Sequence, residues 1–142
     1  MTYKSTSGRI VFMAGPLSWG SHLQPLVATS PAGSEYMAAS ELIKDILYFR
    51  EVLSELNLPC QAPSEVLFDN TAAISMAERL ADNRKNRHML IRFHHIRVCC
   101  SLGFVRLGWV PSDLQQADMF TKPTSTEVFL NLRKRLFPSQ DN

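Results

Sequence analysis

The sequence has few cysteines and no apolar run long enough to cross a membrane. Its three cysteines, Cys60, Cys99 and Cys100, are an odd number and two are adjacent, which does not suit a disulfide framework. No C-x-x-C pair indicates zinc, and no basic segment followed by an apolar one predicts a signal peptide. These absences argue against disulfide scaffolds and membrane proteins, and they predict an intracellular protein with reduced cysteines and no membrane partner.

Acidic residues are missing from one long segment. Nine of the thirteen acids lie between Glu35 and Asp82, whereas residues 83–112 contain none. That segment carries six arginines and lysines and three of the four histidines. An acid-free basic segment in a chain of net charge +2 is typical of contact with a polyanion. A solvated basic face explains the same pattern, and the charges alone do not separate the two.

The hydrophobic patterns predict one α/β domain over residues 1–142, with mixed strand directions. Strands are predicted where β-forming residues cluster between turn residues. Helices are predicted where apolar residues recur every three to four positions. The predicted elements are strands at 9–14 and 24–30, a helix at 34–56 capped by Ser34, a strand at 65–68, helices at 71–80 and 87–101, a strand at 104–110, a short helix that begins at a capping box of residues 112–115, and a last helix at 126–137.

Three carboxylates fall in unusual places. Glu35 points toward the predicted sheet, Asp69 follows an apolar strand, and Asp118 lies on an apolar stripe. Each has an ordinary explanation: a charge that complements a helix N-terminus, a helix cap, and a carboxylate paired with a nearby lysine or arginine. Taken together they suggest a shared site for Mg²⁺ or Mn²⁺, since hard cations favour oxygen ligands.

The sequence around these carboxylates resembles the ribonuclease H domain of copia-type retrotransposon Pol polyproteins. The similar segments cover nearly the whole chain in order. They are KSTSG (4–8), PLSWGSHLQ (16–24), SEYMAAS (34–40), FDNTAAI (68–74), HMLIRFHHIR (88–97) and WVPSDLQQADMFTKP (109–123), which resemble the family's RKSTSG, PISWSSKKQ, AEYMALS, CDNQSAI, HIDIRYHFIR and YVPTEEQLADIFTKP.

The resemblance implies a ribonuclease H-like mixed sheet with flanking helices that cuts the RNA strand of RNA–DNA hybrids. Glu35, Asp69 and Asp118 fall on catalytic positions that bind two Mg²⁺ or Mn²⁺ ions in the intact family. It also implies a cytoplasmic, virus-like-particle or nuclear location. From charge and helical position, the residues predicted to contact the hybrid are Asn70, Arg84, Lys85, Arg87, His88 and Arg92.

The chain departs from the family at Gly33, Leu90 and Val98, where acids are common, and above all before Ser5. There the family has its first, central strand, with a catalytic aspartate in a D-A-D-W-like motif. We expect this strand to be missing from the chain and to be supplied by an upstream reverse transcriptase or polyprotein segment. Without it, we expect a hairpin and a separate two-stranded piece with open edges, poor stability or self-association, and little or no hybrid cleavage.

Two other functions stay open. One is a catalytically inactive nucleic-acid-binding remnant of the element, and the other is an interaction module that binds no nucleic acid. Activity on a hybrid separates the nuclease from the remnant, and salt-dependent binding of the hybrid separates the remnant from the interaction module.

Overall fold

A computed structural model describes residues 4–25, 27, 30–78 and 87–138, and for residues 76–78 and 87–90 the backbone alone. It shows a mixed α/β fold, as predicted, in which two small sheets are flanked by helices. The elements in chain order are β1 (Thr6–Phe12), β2 (Pro16–Leu23), α1 (Pro31–Glu55), β3 (Ser64–Phe68), α2 (Thr71–Glu78), α3 (Arg87–Ser101), β4 (Val105–Trp109), two 3-10 turns (Ser112–Leu114 and Gln116–Phe120) and α4 (Thr126–Leu136).

β1 and β2 form an antiparallel hairpin in which Thr6 pairs with Leu23 and Ile10 with Trp19. The second strand lies at Pro16–Leu23 and not at the predicted residues 24–30. Of that predicted range, residues 24, 25, 27 and 30 are described and none is in a strand, while residues 26, 28 and 29 lie outside the described residues. The sequence of β2 does not show which face is buried, because its large apolar residues Trp19 and Leu23 lie on the exposed face. Gln24 is instead a buried anchor: its Nε2 donates to Ser7 Oγ at 2.8 Å and to the Ser34 carbonyl at 2.9 Å.

The long helix α1 packs against β1, β3, α2 and α3 and supplies much of the core. It begins earlier than predicted, because Ser30 rather than Ser34 is the N-cap. The Ser30 hydroxyl accepts from the Gly33 N–H at 3.1 Å, and Pro31 is the first residue of the helix. The helix ends as expected before Asn57, which has a left-handed φ of 60°. Tyr36 and Ile43 are fully buried on its inner face.

β3 and β4 are parallel neighbours, with Val66 opposite Leu107, and α2 and α3 form the connection between them. Both strands lie close to their predicted bounds, and α3 has the predicted ones. On α3 the expected apolar stripe faces inward, since Phe93 and Ile96 are buried. The described part of the chain therefore contains the expected hairpin and a separate two-stranded sheet; that a family strand is missing stays a prediction.

The segment after β4 folds into two short 3-10 turns and not into the predicted helix. The capping box is not formed, because Pro111 takes the N-cap position and makes no side-chain cap. Instead, the Gln115 side chain accepts from the Ala117 N–H at 3.4 Å and starts the second turn. That turn lies against β1 at Gly8.

None of the helices in the described part of the chain is both long and apolar enough to span a membrane. Cys60, Cys99 and Cys100 are all free thiols, with Cys99 buried. Burial raises the pKa of both adjacent thiols, so each is held in its neutral form.

Candidate active site

The three predicted carboxylates line one cavity between the two sheets, but they come from different elements. Glu35 projects from the second turn of α1, Asp69 follows the last residue of β3, and Asp118 lies in the Gln116–Phe120 turn. The carboxyl end of a strand and the first turns of a helix are rigid positions where α/β proteins commonly place functional groups. The fold thus brings three residues from distant parts of the sequence to the wall of the same cavity.

Glu35 and Asp69 interact with each other at this site. Burial, and then the charge of Asp69, raise the pKa of Glu35 to about 7, while hydrogen bonding with Asn70 opposes the rise. The Glu35 Oε2 atom is buried without a hydrogen-bond partner. A buried carboxylate oxygen without a partner, next to a second carboxylate, is a position that a cation or a proton would stabilise.

Asp118 is held by a lysine one turn further on. Lys122 Nζ lies 2.7 Å from Asp118 Oδ2, and this hydrogen bond is the main reason that the pKa of Lys122 is raised. The charge of Asp69 raises it further, so the ammonium lies in the field of both aspartates. Asp118 therefore has the ordinary role that its sequence also allowed, a carboxylate paired with a nearby cation, in addition to its place on the cavity wall.

The acidic residues are not arranged as a preformed metal centre. Among the residues that the structure describes, no group of three His, Cys, Asp or Glu side chains is close enough to hold an ion. The donor set nevertheless fits a hard divalent cation: Glu35 and Asp69 supply oxygens, one of them orphaned, and Lys122 already places a positive charge beside Asp118. Since Lys122 already pairs with Asp118 Oδ2, an ion that binds Asp118 together with Glu35 and Asp69 would compete with this ion pair.

Of the six residues predicted to contact a nucleic acid, the structure describes the side chains of two, Asn70 and Arg92. Arg84 and Lys85 lie outside the described residues, and for Arg87 and His88 only the helical backbone is described. Asn70 is occupied locally: its Oδ1 accepts from the Ala72 N–H at 2.9 Å and caps the start of α2.

Arg92 forms an ion pair between two helices and is therefore not free to bind a nucleic acid. Its Nη1 donates to Glu41 Oε1 at 2.6 Å and joins α3 to α1. Burial acts to raise the pKa of Glu41, but hydrogen bonds from Arg92 and Lys44 outweigh it and hold that pKa below its ordinary value. On the described part of α3, Ile91, His94 and Val98 are exposed, whereas Arg92 is partly buried in its ion pair. Part of the basic charge counted in the sequence is therefore used within the fold.

Comparison with known proteins identifies relatives of this chain. It is 28% identical over 135 residues to the retrovirus-related Pol polyprotein from transposon RE2 of Arabidopsis thaliana and 29% identical over 135 residues to that from transposon RE1, which in each case covers 94% of the chain. It is 32% identical over 127 residues, or 89% of the chain, to the retrovirus-related Pol polyprotein from transposon TNT 1-94 of Nicotiana tabacum. The chain is homologous to retrotransposon Pol polyproteins.

This homology concerns one part of much longer proteins. The chain spans about a tenth of the length of the curated Pol polyproteins it matches, namely 9% of the two Arabidopsis proteins and 10% of the tobacco protein. No protein-family model and no solved structure matches it.

One charged residue of the site was missed in the sequence. Lys122 follows Asp118 by four residues, a spacing at which side chains meet on a helix, and it lies within the ADMFTKP segment that resembles the family. The spacing could have identified it as the partner of Asp118, since the sequence already suggested a lysine or arginine in that role.

Proposed function

We propose that the chain is a ribonuclease H-type domain of a copia-type retrotransposon Pol polyprotein, which hydrolyses the RNA strand of RNA–DNA hybrids with Mg²⁺ or Mn²⁺. The observation that carries the proposal is the pairing of Glu35 with Asp69 at the wall of a cavity, where the pKa of Glu35 is raised to about 7 and one of its oxygens has no partner. The homology to Pol polyproteins supports it.

Each residue of the site has a definable part in such a reaction. Glu35 and Asp69 would hold the divalent ions, which in this chemistry activate a water and stabilise the leaving oxygen of the phosphodiester. Asn70 interacts with Glu35 and caps α2, so it fixes the carboxylate relative to the end of β3. Lys122 pairs with Asp118 Oδ2, and release of this ion pair would free the third carboxylate of the cavity wall to bind an ion.

The first test is cleavage of a hybrid whose RNA strand is labelled at its 5′ end. We expect at most weak cleavage by this chain, because its described residues contain no complete three-ligand group. That cleavage should require Mg²⁺ or Mn²⁺ and disappear in Asp69→Asn. We also expect Mn²⁺ to bind the chain and to raise its melting temperature. Asp69→Asn should weaken Mn²⁺ binding by about tenfold.

The controls separate the nuclease from other nucleases and from the inactive remnant. A DNA duplex of the same sequence should stay intact under the same conditions. Ion binding or cleavage that is equal in the chain and in Asp69→Asn would contradict the proposed site. Robust cleavage by the chain alone, lost in Asp69→Asn, would support the nuclease and overturn the expectation that the chain is impaired.

A nucleic-acid-binding remnant without activity is the second candidate, favoured by the ion pair that occupies Asp118. A test of the nucleic-acid-binding surface should leave Arg92 in place, because its removal would break the ion pair with Glu41 that joins α3 to α1. We expect Arg84→Ala, Lys85→Ala and Arg87→Ala together to weaken hybrid binding and to lower the slope of log affinity against log salt by about 3.

The matched control for these three changes is the loss of basic residues elsewhere. Arg133→Ala, Lys134→Ala and Arg135→Ala remove the same charge from the end of α4. If both triple variants lower the salt slope equally, the chain has no localised hybrid surface in the acid-free segment. If neither the chain nor the variants bind in a salt-dependent way, the interaction module is the better description.

A further inference from the structure

Trp109 places an exposed aromatic ring beside the candidate site. It is the last residue of β4 and lies opposite Phe68, the last residue of β3, in the parallel register of the two strands. The residue after Phe68 is Asp69, one of the proposed ion ligands. Because the carboxyl ends of parallel strands meet at the same end of a sheet, Trp109 and Asp69 come together there.

The alternation of side chains along β4 explains why this ring is exposed. Val105, Leu107 and Trp109 point to the same face of the strand, the one that packs on the core. Val105 is buried and Leu107 is partly buried, whereas Trp109 is 55% exposed. The core thus ends before the strand does, and it leaves a large aromatic side chain uncovered at a position that faces the core.

The exposed ring nevertheless has a fixed position. Its Nε1–H donates to the backbone carbonyl of Asp69 at 3.2 Å. Since this carbonyl and the carboxylate belong to the same residue, the ring and the carboxylate are held close to each other. Asp69 and Val110 line the cavity, but Trp109 is not part of its wall. The ring therefore lies outside the cavity, next to the acidic pair, where a ligand in solution can reach it.

The other tryptophan of the chain is a natural comparison. Trp19 is 58% exposed on β2 and lies opposite Ile10 in the hairpin. Within the described part of the chain, the indole N–H of Trp109 has a hydrogen-bond partner and that of Trp19 has none. The hairpin also carries none of the three carboxylates. Trp19 is therefore an equally exposed ring that is neither fixed nor attached to an element of the site.

We propose that Trp109 is a substrate-binding residue, whose ring packs against a ribose of the RNA–DNA hybrid beside the nucleotide that faces Glu35 and Asp69. This inference rests on the proposed function and adds a contact to it. Tryptophan is among the side chains that contribute most to binding when a partner covers them. An indole that is bonded through its N–H keeps its apolar face free, and a ring that is already fixed loses little conformational entropy on binding.

The shape of the hybrid decides which of its groups the ring can reach. The bases of a duplex are paired and stacked on one another, so a side chain stacks on a base only where the strand is unpaired. An RNA-type helix has a wide, shallow minor groove with sugars and 2′-hydroxyls at its surface. The C–H groups of a ribose are complementary to the apolar face of an indole. Because Trp109 carries no charge, this contact adds to phosphate contacts without releasing counterions.

Fluorescence can observe this contact directly, because the chain has two tryptophans and each can be studied alone. Trp19→Phe leaves Trp109 as the single tryptophan, and Trp109→Phe leaves Trp19. Each variant of the full chain is titrated with a short RNA–DNA hybrid in the presence of Mg²⁺, and a gel then shows whether the hybrid is still intact. We expect the emission of Trp109 to fall as the hybrid binds and the emission of Trp19 to stay unchanged.

Affinity measurements test whether the contact contributes to binding. We expect Trp109→Ala to weaken hybrid binding by about tenfold and its matched control, Trp19→Ala, to weaken it by less than about twofold. Trp109→Phe keeps an aromatic ring but loses the donor to Asp69, and it should bind within about threefold of the parent chain. The slope of log affinity against log salt should be the same in Trp109→Ala and in the parent chain, because no positive charge is removed.

Several outcomes would overturn the inference. A lower salt slope in Trp109→Ala would show that the substitution acts by disturbing basic residues elsewhere. Trp109→Phe that binds as weakly as Trp109→Ala would show that the indole acts only through its hydrogen bond to Asp69. Equal changes in the emission of the two tryptophans would show that the contact is not localised. A larger change with the RNA strand alone than with the hybrid would indicate stacking on an unpaired base in place of packing on a ribose.

The same experiment separates this inference from the nuclease proposal. If the emission of Trp109 falls while the hybrid stays intact, the ring binds the hybrid and the nuclease proposal fails for this chain. If the hybrid is cleaved while the emission of Trp109 does not change, the nuclease proposal holds and the inference fails. A chain that binds no hybrid overturns both.

Discussion

Replacing Gly8 with alanine is expected to lower the free energy of unfolding by about 1–3 kcal/mol, with a melting temperature lower by roughly 3–10 °C. A Cβ at Gly8 would meet the side chain of Thr121 at 2.7 Å and that of Phe120 at 3.0 Å, and it would overlap with the backbone carbonyl of Ala117. A backbone carbonyl cannot rotate aside as a side chain can, so the Gln116–Phe120 turn must move away from β1.

Gly15→Ala is the matched control for this change. Gly15 lies in the turn that joins β1 to β2, and a Cβ there meets no atom within 4 Å, so the same added methyl group should change stability by less than about 0.5 kcal/mol. Urea denaturation of both variants measures the difference. Equal stabilities of Gly8→Ala and Gly15→Ala would mean that the turn does not pack on β1 as described. Because the turn carries Asp118, Gly8→Ala should also displace that carboxylate from the cavity wall.

The elements that could be predicted from sequence are those whose burial follows a simple period. α1 and α3 each bury one continuous apolar face, and β3 is a short apolar run between turns, so their patterns gave their positions. β2 was missed because its large apolar residues face outward. The capping box predicts a helix where the structure has the Gln116–Phe120 turn, because a capping box describes local preference, whereas the contact of the turn with β1 depends on the fold.

The candidate site also has residues that the sequence predicts and contacts that it does not. The positions of Glu35 and Asp69 at element ends could be read from the sequence, and the structure places them together. The ion pair of Arg92 with Glu41 joins residues 51 positions apart, so no local pattern could reveal that this arginine is used inside the fold. Charge counts assign a residue to a surface only when its partners are known, and here the partner lies on another helix.

Glu35→Gln is expected to remove a pH dependence of stability between pH 5 and pH 8. The folded-state pKa of Glu35, about 7, lies above its ordinary value of 4.5, so the folded chain binds this proton more tightly than the unfolded chain does. Stability from this group is therefore full below pH 4.5 and is lost as the pH rises to 7. Such a shift corresponds to about 3 kcal/mol for a fully buried group, and because water reaches part of the side chain we expect about 1–2 kcal/mol.

The environment of Glu35 fixes the sign of the effect and the window in which to measure it. The groups that face it are Asp69, which disfavours its charge, and Asn70, which favours it. Glu41 has a lowered pKa and acts oppositely, since its stability contribution is lost as the pH falls below its ordinary value, so measurements should stay above pH 5. In this window Glu35→Gln should equal the parent chain at pH 5 and exceed its stability by about 1–2 kcal/mol at pH 8.

Urea denaturation at pH 5 and pH 8 measures this difference, with Glu55→Gln at the exposed end of α1 as the matched control for the loss of one charge. Parallel pH profiles for the parent chain and Glu35→Gln would contradict the raised pKa.

A divalent ion held by Glu35 and Asp69 would stabilise the charged form of Glu35. We therefore expect 10 mM MgCl₂, about the concentration of a standard nuclease assay, to recover part of the stability that the parent chain loses at pH 8 and to leave the stability of Glu35→Gln unchanged. The same carboxylate that weakens the fold at high pH is then the one that an ion would engage, which links the cost in stability to the proposed chemistry.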